Sequence, residues 1–252
     1  MEPTREDLHT NFSAFFRTDG MTHSEAKQRR FDMLSWAILL AIFAGISADV
    51  VAQAPAEKMD VGILLFEGVE LLDFAGPAEV FIVANHGNAF RVFTIAASDK
   101  PVRTMGGIRL LPDYAIAEAP PVDILVVPGG NMSNAGTATR KWIKESSEHA
   151  KVVMSVCMGA FLLADVGLLD NTEATTHRWG IEGLRRAAPA CKVCEDRRVV
   201  ESGKIVTTAG VTAGIDGALH LVEKFYGKKI AQWTAEEWME YKRVPVSSEE
   251  AR

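Results

Sequence analysis

The segment Lys151-Val-Val-Met-Ser-Val-Cys157-Met-Gly159-Ala-Phe-Leu-Leu-Ala constrains this chain more than any other. An apolar run of strand character enters a cysteine and passes at once into a helical pattern. Gly159 follows two positions later, where a tight turn needs a residue without Cβ. Strand, nucleophilic side chain and helix in immediate succession are the sequence form of a nucleophile elbow, whose side chain stands at the carboxyl end of a strand. Ligands of open α/β sheets bind at that end. A helix start favours negative charge, which predicts a Cys157 thiol that ionises more readily than a free one at ~8.5. The other reading of Cys157 is a small buried hydrophobe.

The flanking pattern extends the same architecture. Apolar runs at 61–66, 90–97, 123–127 and 151–156 alternate with helical stretches at 72–84, 138–150 and 159–167. Continuous apolar runs mark strands buried on both faces. Their alternation with helices predicts a mostly parallel sheet with helices on both faces. A short strand at 173–176, a helix to Ala188, a hairpin of 197–201 with 204–208, and closing helices at 212–226 and 230–241 complete the pattern. The 252 residues allow one large domain plus an appendage. The expected organisation is an N-terminal extension over 1–57, an α/β domain over 58–243 and a loose tail over 244–252. The net charge of -6 gives no electrostatic basis for binding nucleic acid.

The extension carries a message of its own. The basic cluster Lys27-Gln28-Arg29-Arg30 precedes an uncharged apolar run over 33–48, and Ala52-Gln53-Ala54 stands just before Pro55. Basic region, apolar region and small-x-small site in that order form the pattern of a secretory signal. The expectation is an exported chain, periplasmic or secreted, with a mature start near Pro55. The run falls short of the ~20 residues of a membrane span, but with Val50-Val51 drawn in, residues 33–51 read alternatively as an inner-membrane anchor. A buried core helix is the third reading.

Five segments together carry a family resemblance. They are Leu71-Leu-Asp73-Phe-Ala-Gly76-Pro77-Ala-Glu-Val80, Val126-Val-Pro-Gly129-Gly130, Ser155-Val-Cys157-Met-Gly159-Ala, Ala174-Thr-Thr-His177 and Val211-Thr-Ala-Gly-Ile-Asp216-Gly-Ala-Leu-His220. From about Met59 to Tyr241 the chain resembles the ThiJ/PfpI superfamily of class I glutamine amidotransferase-like proteins. It is most similar to the isonitrile hydratase (cyclohexyl-isocyanide hydratase) branch and to the sheet domain of AraC-type regulators. The resemblance implies a flavodoxin-like α/β domain, a homodimer, a small-molecule substrate and no cofactor or metal. It also implies Cys157 as nucleophile and Asp73 facing it. A carboxyl there can exchange a proton with substrate, or it can simply cap its helix. The implied reaction has Cys157 attack the isonitrile carbon and Asp73 pass a proton to the adjoining nitrogen. Water then releases an N-substituted formamide. The amides of Gly130 and Met158 would form an oxyanion site, with Gly129 and His177 as neighbours. His177 reads equally as a structural group. Asp216 and His220, one helical turn apart, read as structural.

The chain also departs from that pattern. Isonitrile hydratases carry threonine after the nucleophile, and Met158 cannot donate the corresponding hydrogen bond. Family proteases and glyoxalases carry histidine there, so Met158 argues against both. No late His-x-Glu of amidotransferases is present, and only a short tail follows Tyr241, so no DNA-binding domain is expected. The alternative function is a non-catalytic small-molecule-binding or thiol redox-sensing protein, and a weaker third is a chaperone-like stress protein. Cys191-Lys-Val-Cys194 lacks further ligands for a metal and reads as packing cysteines, although export leaves a disulfide open.

Overall fold

The computed structural model describes residues 58–242. The basic cluster, the apolar run, the small-x-small site and the tail beyond Lys242 lie outside the described residues. The first strand, β1, spans Met59–Leu64 and feeds helix α1 at Leu71–Gly87, after which β2 spans Phe90–Ala96. Three two-residue or near-edge pieces follow: β3 at Val102–Arg103, β4 at Arg109–Leu110 and β5 at Tyr114–Ala115. Then come β6 at Ile124–Val127, α2 at Thr137–His149 and β7 at Val152–Val156. A short 3-10 turn, Cys157–Gly159, opens α3 at Ala160–Asp165. The remainder comprises β8 at Glu173–Ala174, α4 at Ile181–Ala187, β9 at Lys192–Val193, β10 at Val199–Ser202, β11 at Ile205–Thr208, α5 at Ala213–Tyr226 and α6 at Lys228–Gln232.

Seven strands make one sheet in the order β10-β11-β7-β6-β1-β2-β5. Only the β10–β11 pair, the expected hairpin, is antiparallel within it. The mostly parallel sheet expected from the alternating pattern, in the flavodoxin-like arrangement that the family resemblance implies, is therefore present. The central strands are buried throughout: β6 and β7 expose none of their residues, because helices cover both faces. The chain leaves β1 toward β2 on one side and later returns to β6 and β7 on the other. Strand order thus reverses between β1 and β6, and a crevice opens where the connections part.

Two elements depart from expectation. The closing helix over 230–241 is instead α6 followed by a π-helical turn at Trp233–Trp238. The Thr234 hydroxyl donates to the Ile230 carbonyl at 2.9 Å, and the Met239 amide reaches Thr234 rather than the carbonyl one residue later. The strand expected over 173–176 stops at Ala174, so Thr175 and Thr176 leave β8 and cross toward the cysteine. Strands β3, β4, β5 and β9 went unread because two residues cannot display a period.

Candidate active site

Three strand ends meet at the crevice. Strand β1 leads to Asp73 in the first turn of α1, β6 to Gly129 and Gly130, and β7 to Cys157. Cys157 has φ 57, a left-handed conformation that L side chains rarely adopt. Its backbone is held on both sides: its amide donates to the Ala209 carbonyl at 3.0 Å, and its carbonyl accepts from the Thr176 hydroxyl at 2.7 Å. Gly159 is required by proximity. A Cβ there would stand 2.1 Å from the Val127 carbonyl oxygen, so the turn presses directly on β6.

The Asp73 side chain is completely buried. Its Oδ2 accepts from the Gly129 amide at 2.9 Å, while its Oδ1 has no hydrogen-bond partner among the described residues. The Cys157 thiol lies beside this carboxyl. Burial pushes the Asp73 pKa up to about 7 against the Gly129 hydrogen bond, and the Glu70 carboxylate adds to the rise. Burial also pushes the Cys157 thiol up to about 12, and the Asp73 charge reinforces it. The amides of Val211 and Met158 face the sulfur and work in the opposite direction. The expectation of an easily ionised thiol is therefore corrected. The 3-10 turn and the six-residue α3 supply little dipole, and Cys157 is only 7% exposed, so desolvation and the neighbouring acid prevail.

A cavity of about 260 Å³ stands over the sulfur, lined by Glu70, Met105, Gly130, Cys157, Met158, His177, Trp179 and Val211. Four residues expected at the site, Gly130, Cys157, Met158 and His177, are thus brought together, with Asp73 and Gly129 immediately beneath. The Gly129 amide is engaged by Asp73, which leaves Gly130 as the glycine facing the cavity. Met158 leans its sulfur toward Gly180, where a Cβ would meet it at 2.7 Å, and offers no polar donor. His177 caps the 3-10 turn at Arg178–Gly180: its Nδ1 accepts from the Trp179 amide at 3.2 Å.

Glu70, Met105, Trp179 and Val211 were not anticipated. Glu70 precedes Asp73 by three residues at a helix start, a spacing that places both on one face and that sequence reasoning could have used. Met105 comes from a turn that leaves no pattern. Val211, at φ 46, is a strained β-branched residue whose conformation no sequence rule announces.

Outside the cavity, Asp216 accepts from Arg198 Nε at 2.8 Å and from the Tyr241 hydroxyl at 3.0 Å, while His220 pairs with Glu201. Cys191 and Cys194 are half-buried free thiols flanking β9. No group of three or more His, Cys, Asp or Glu suited to a metal gathers among the described residues.

A flavodoxin-like sheet with a strained cysteine elbow at its strand reversal defines a class of cysteine-bearing α/β proteins. The chain belongs to one family within it, the DJ-1/PfpI family, whose profile matches residues 59–224. It is 34% identical over 181 residues to the isonitrile hydratase of Pseudomonas putida, covering 69% of this chain and 75% of that protein. It is 28% identical to the HTH-type transcriptional regulator CdhR of Pseudomonas aeruginosa, over 72% of this chain but only 55% of the regulator. The fold is similar to that of a THiJ/PfpI family protein from Pseudomonas syringae, with a TM-score of 0.68 at 24% identity over 80% of this chain and 83% of that one. It also matches Drosophila melanogaster DJ-1beta, with a TM-score of 0.64 at 20% identity over 73% of this chain and 99% of that one.

Proposed function

We propose that this protein is a cysteine-dependent hydratase that converts an isonitrile to an N-substituted formamide. The observation that carries the reading is the buried Asp73–Cys157 pair beneath a largely apolar cavity. A thiol near 12 is a poor nucleophile alone and needs a base at the moment of attack, and a carboxyl near 7 can take and return a proton at neutral pH. Similarity to the Pseudomonas putida isonitrile hydratase supports the substrate class.

Asp73 draws the proton from Cys157 as the sulfur bonds to the terminal isonitrile carbon. That carbon, left with an electron pair, takes the proton from Asp73 and becomes a thioimidate. Water then adds across the C=N bond, with its hydroxyl on carbon and a proton on nitrogen. The C–S bond breaks, its electron pair returns to sulfur, and the hydroxyl proton passes through Asp73 to restore the thiol. The net change is addition of one water. Electron balance thus puts the first proton on carbon and the second on nitrogen. The amides of Met158 and Val211 face the sulfur that gains charge when the product leaves. The proposal extends to an exported homodimer acting on a small apolar substrate.

Incubation of the full chain with cyclohexyl isonitrile tests the reading. Formamide should form slowly, since one hydroxyl donor is missing at Met158, and loss of such a donor costs ~10²–10³ in rate. Met158→Thr should accelerate it, and Cys157→Ala should abolish it. Formamide formation that survives Cys157→Ala would overturn the proposal. A purely ligand-binding protein would give no formamide in the parent or in Met158→Thr, with only a shifted melting temperature. The buried, weakly acidic thiol disfavours redox sensing, which calls for an exposed thiolate.

A further inference from the structure

The Thr175-Thr176-His177 stretch resolves into three different tasks. His177 caps a 3-10 turn, and the Thr175 amide donates to the Thr207 hydroxyl at 2.8 Å, which fastens the segment to β11. Thr176 ties the segment to the elbow by a hydrogen bond, its hydroxyl donating to the Cys157 carbonyl. Both Thr176 and Cys157 are buried, Thr176 to within 1%.

That carbonyl belongs to the same peptide unit as the Met158 amide. The unit is planar and trans, so C=O and N–H point in opposite directions, and whatever fixes one fixes the other. The Met158 N–H faces the Cys157 sulfur and lies against Gly129, where a Cβ would approach its nitrogen to 2.8 Å. A donor on the carbonyl also polarises the amide and strengthens its N–H as a donor, an effect that grows in a buried, low-dielectric setting. Cys157 sits at φ 57, where it needs external restraint.

We propose that Thr176 is a positioning residue: its hydroxyl, bound to the Cys157 carbonyl, aims and polarises the Met158 amide at the charge that develops on the Cys157 sulfur. The proposal rests on the reading of the Met158 amide as a stabilising donor. It does not depend on isonitriles being the substrate, because its test reads the thiol itself.

The experiment is site-resolved alkylation of Cys157 by iodoacetamide, followed by mass spectrometry across pH 7–11, on the full chain and on Thr176→Val, Thr176→Ala and Thr176→Ser. Without the hydroxyl the thiolate loses part of its stabilisation. Thr176→Val and Thr176→Ala should therefore alkylate roughly threefold to tenfold more slowly at a given pH, with the profile displaced to higher pH. Thr176→Ser, which keeps the hydroxyl, should restore the parent profile. A folded Thr176→Val or Thr176→Ala with the parent profile would overturn the proposal. So would a displaced Thr176→Ser profile, because the methyl rather than the hydroxyl would then matter. If both hydroxyl-free variants fail to fold while Thr176→Ser matches the parent, the role is structural and the positioning proposal falls.

Discussion

Asp73 and Cys157 are two acids in one desolvated space, and they cannot both carry charge at neutral pH. The free-energy consequence is legible in stability. The folded-state pKa of Asp73 is about 7, against 3.8 when unperturbed, so the native state holds a proton that the unfolded state has released between those values. The contribution of Asp73 to native stability is therefore complete at low pH and falls as pH rises through that window, the loss being full above about 7. Asp73→Asn removes the penalty and keeps an acceptor for the Gly129 amide. The variant should melt higher than the parent at pH 8, by ~1–3 kcal/mol or several degrees, with the advantage gone by pH 4. The same change lifts the negative charge from beside the sulfur, so Cys157 should alkylate faster at pH 8 while hydration stops. Differential scanning calorimetry at both pH values and site-resolved alkylation check the two halves. A variant less stable than the parent at pH 8 would show that the carboxylate is not under strain. At this scale the sequence placed Cys157 and Asp73 together but misjudged the acidity of the thiol. A helix start is visible in a sequence, whereas the brevity of α3 and the depth of burial are set by tertiary packing.

At the scale of elements, the elbow depends on how closely its turn approaches β6. A methyl at Gly159 would lie 2.1 Å from the Val127 carbonyl oxygen and 2.9 Å from Pro128 backbone atoms, neither of which can swing aside as a side chain would. Gly159→Ala should therefore force β6 and the turn apart, destabilise the domain by ~2–4 kcal/mol and eliminate turnover. Chemical denaturation with an activity assay on the folded fraction measures both. Stability within 0.5 kcal/mol of the parent would remove the close-packing argument. The long apolar runs that became β1, β2, β6 and β7 were legible because buried parallel strands are apolar at every position. The hairpin was legible from Ser202-Gly203, and Gly203 indeed takes φ 63. The two-residue strands and the π-helical turn were not legible. The former are too short for a pattern, and the latter arises from one threonine competing for a helical carbonyl.

At the scale of the molecule, the sheet places its strand reversal under a cavity whose walls come from six separate connections, Gly130 standing after β6 and Val211 after β11. Glu70 belongs to the first, Met105 to the turn before β4, Met158 to the elbow and Trp179 to the turn before α4. The sequence announced the sheet and the cysteine, while the rim of the cavity became visible only once these distant loops met. Trp179 is 82% exposed and Met105 63%, two large apolar side chains at the rim of the cavity over Cys157. Trp179 is nonetheless anchored: its amide donates to His177 Nδ1, its ring meets the His177 ring edge-on at 4.9 Å between centroids, and Arg178 lies over its face. A held but exposed aromatic ring at the mouth suits the apolar substituent of the proposed isonitrile substrate, whose reacting carbon the proposed mechanism sets at the other end, against Cys157. Covering that ring should contribute ~1–2 kcal/mol of binding. Trp179→Ala should then raise KM for cyclohexyl isonitrile roughly fivefold to thirtyfold and leave kcat close to the parent value, because the ring touches no reacting atom. Methyl isonitrile, too short to reach the mouth, should show little change in either constant. Steady-state kinetics on the two substrates decides the matter. An equal rise in KM for both would place the ring against the isonitrile group itself, and a collapse of kcat would mean that Trp179 supports the elbow rather than the substituent.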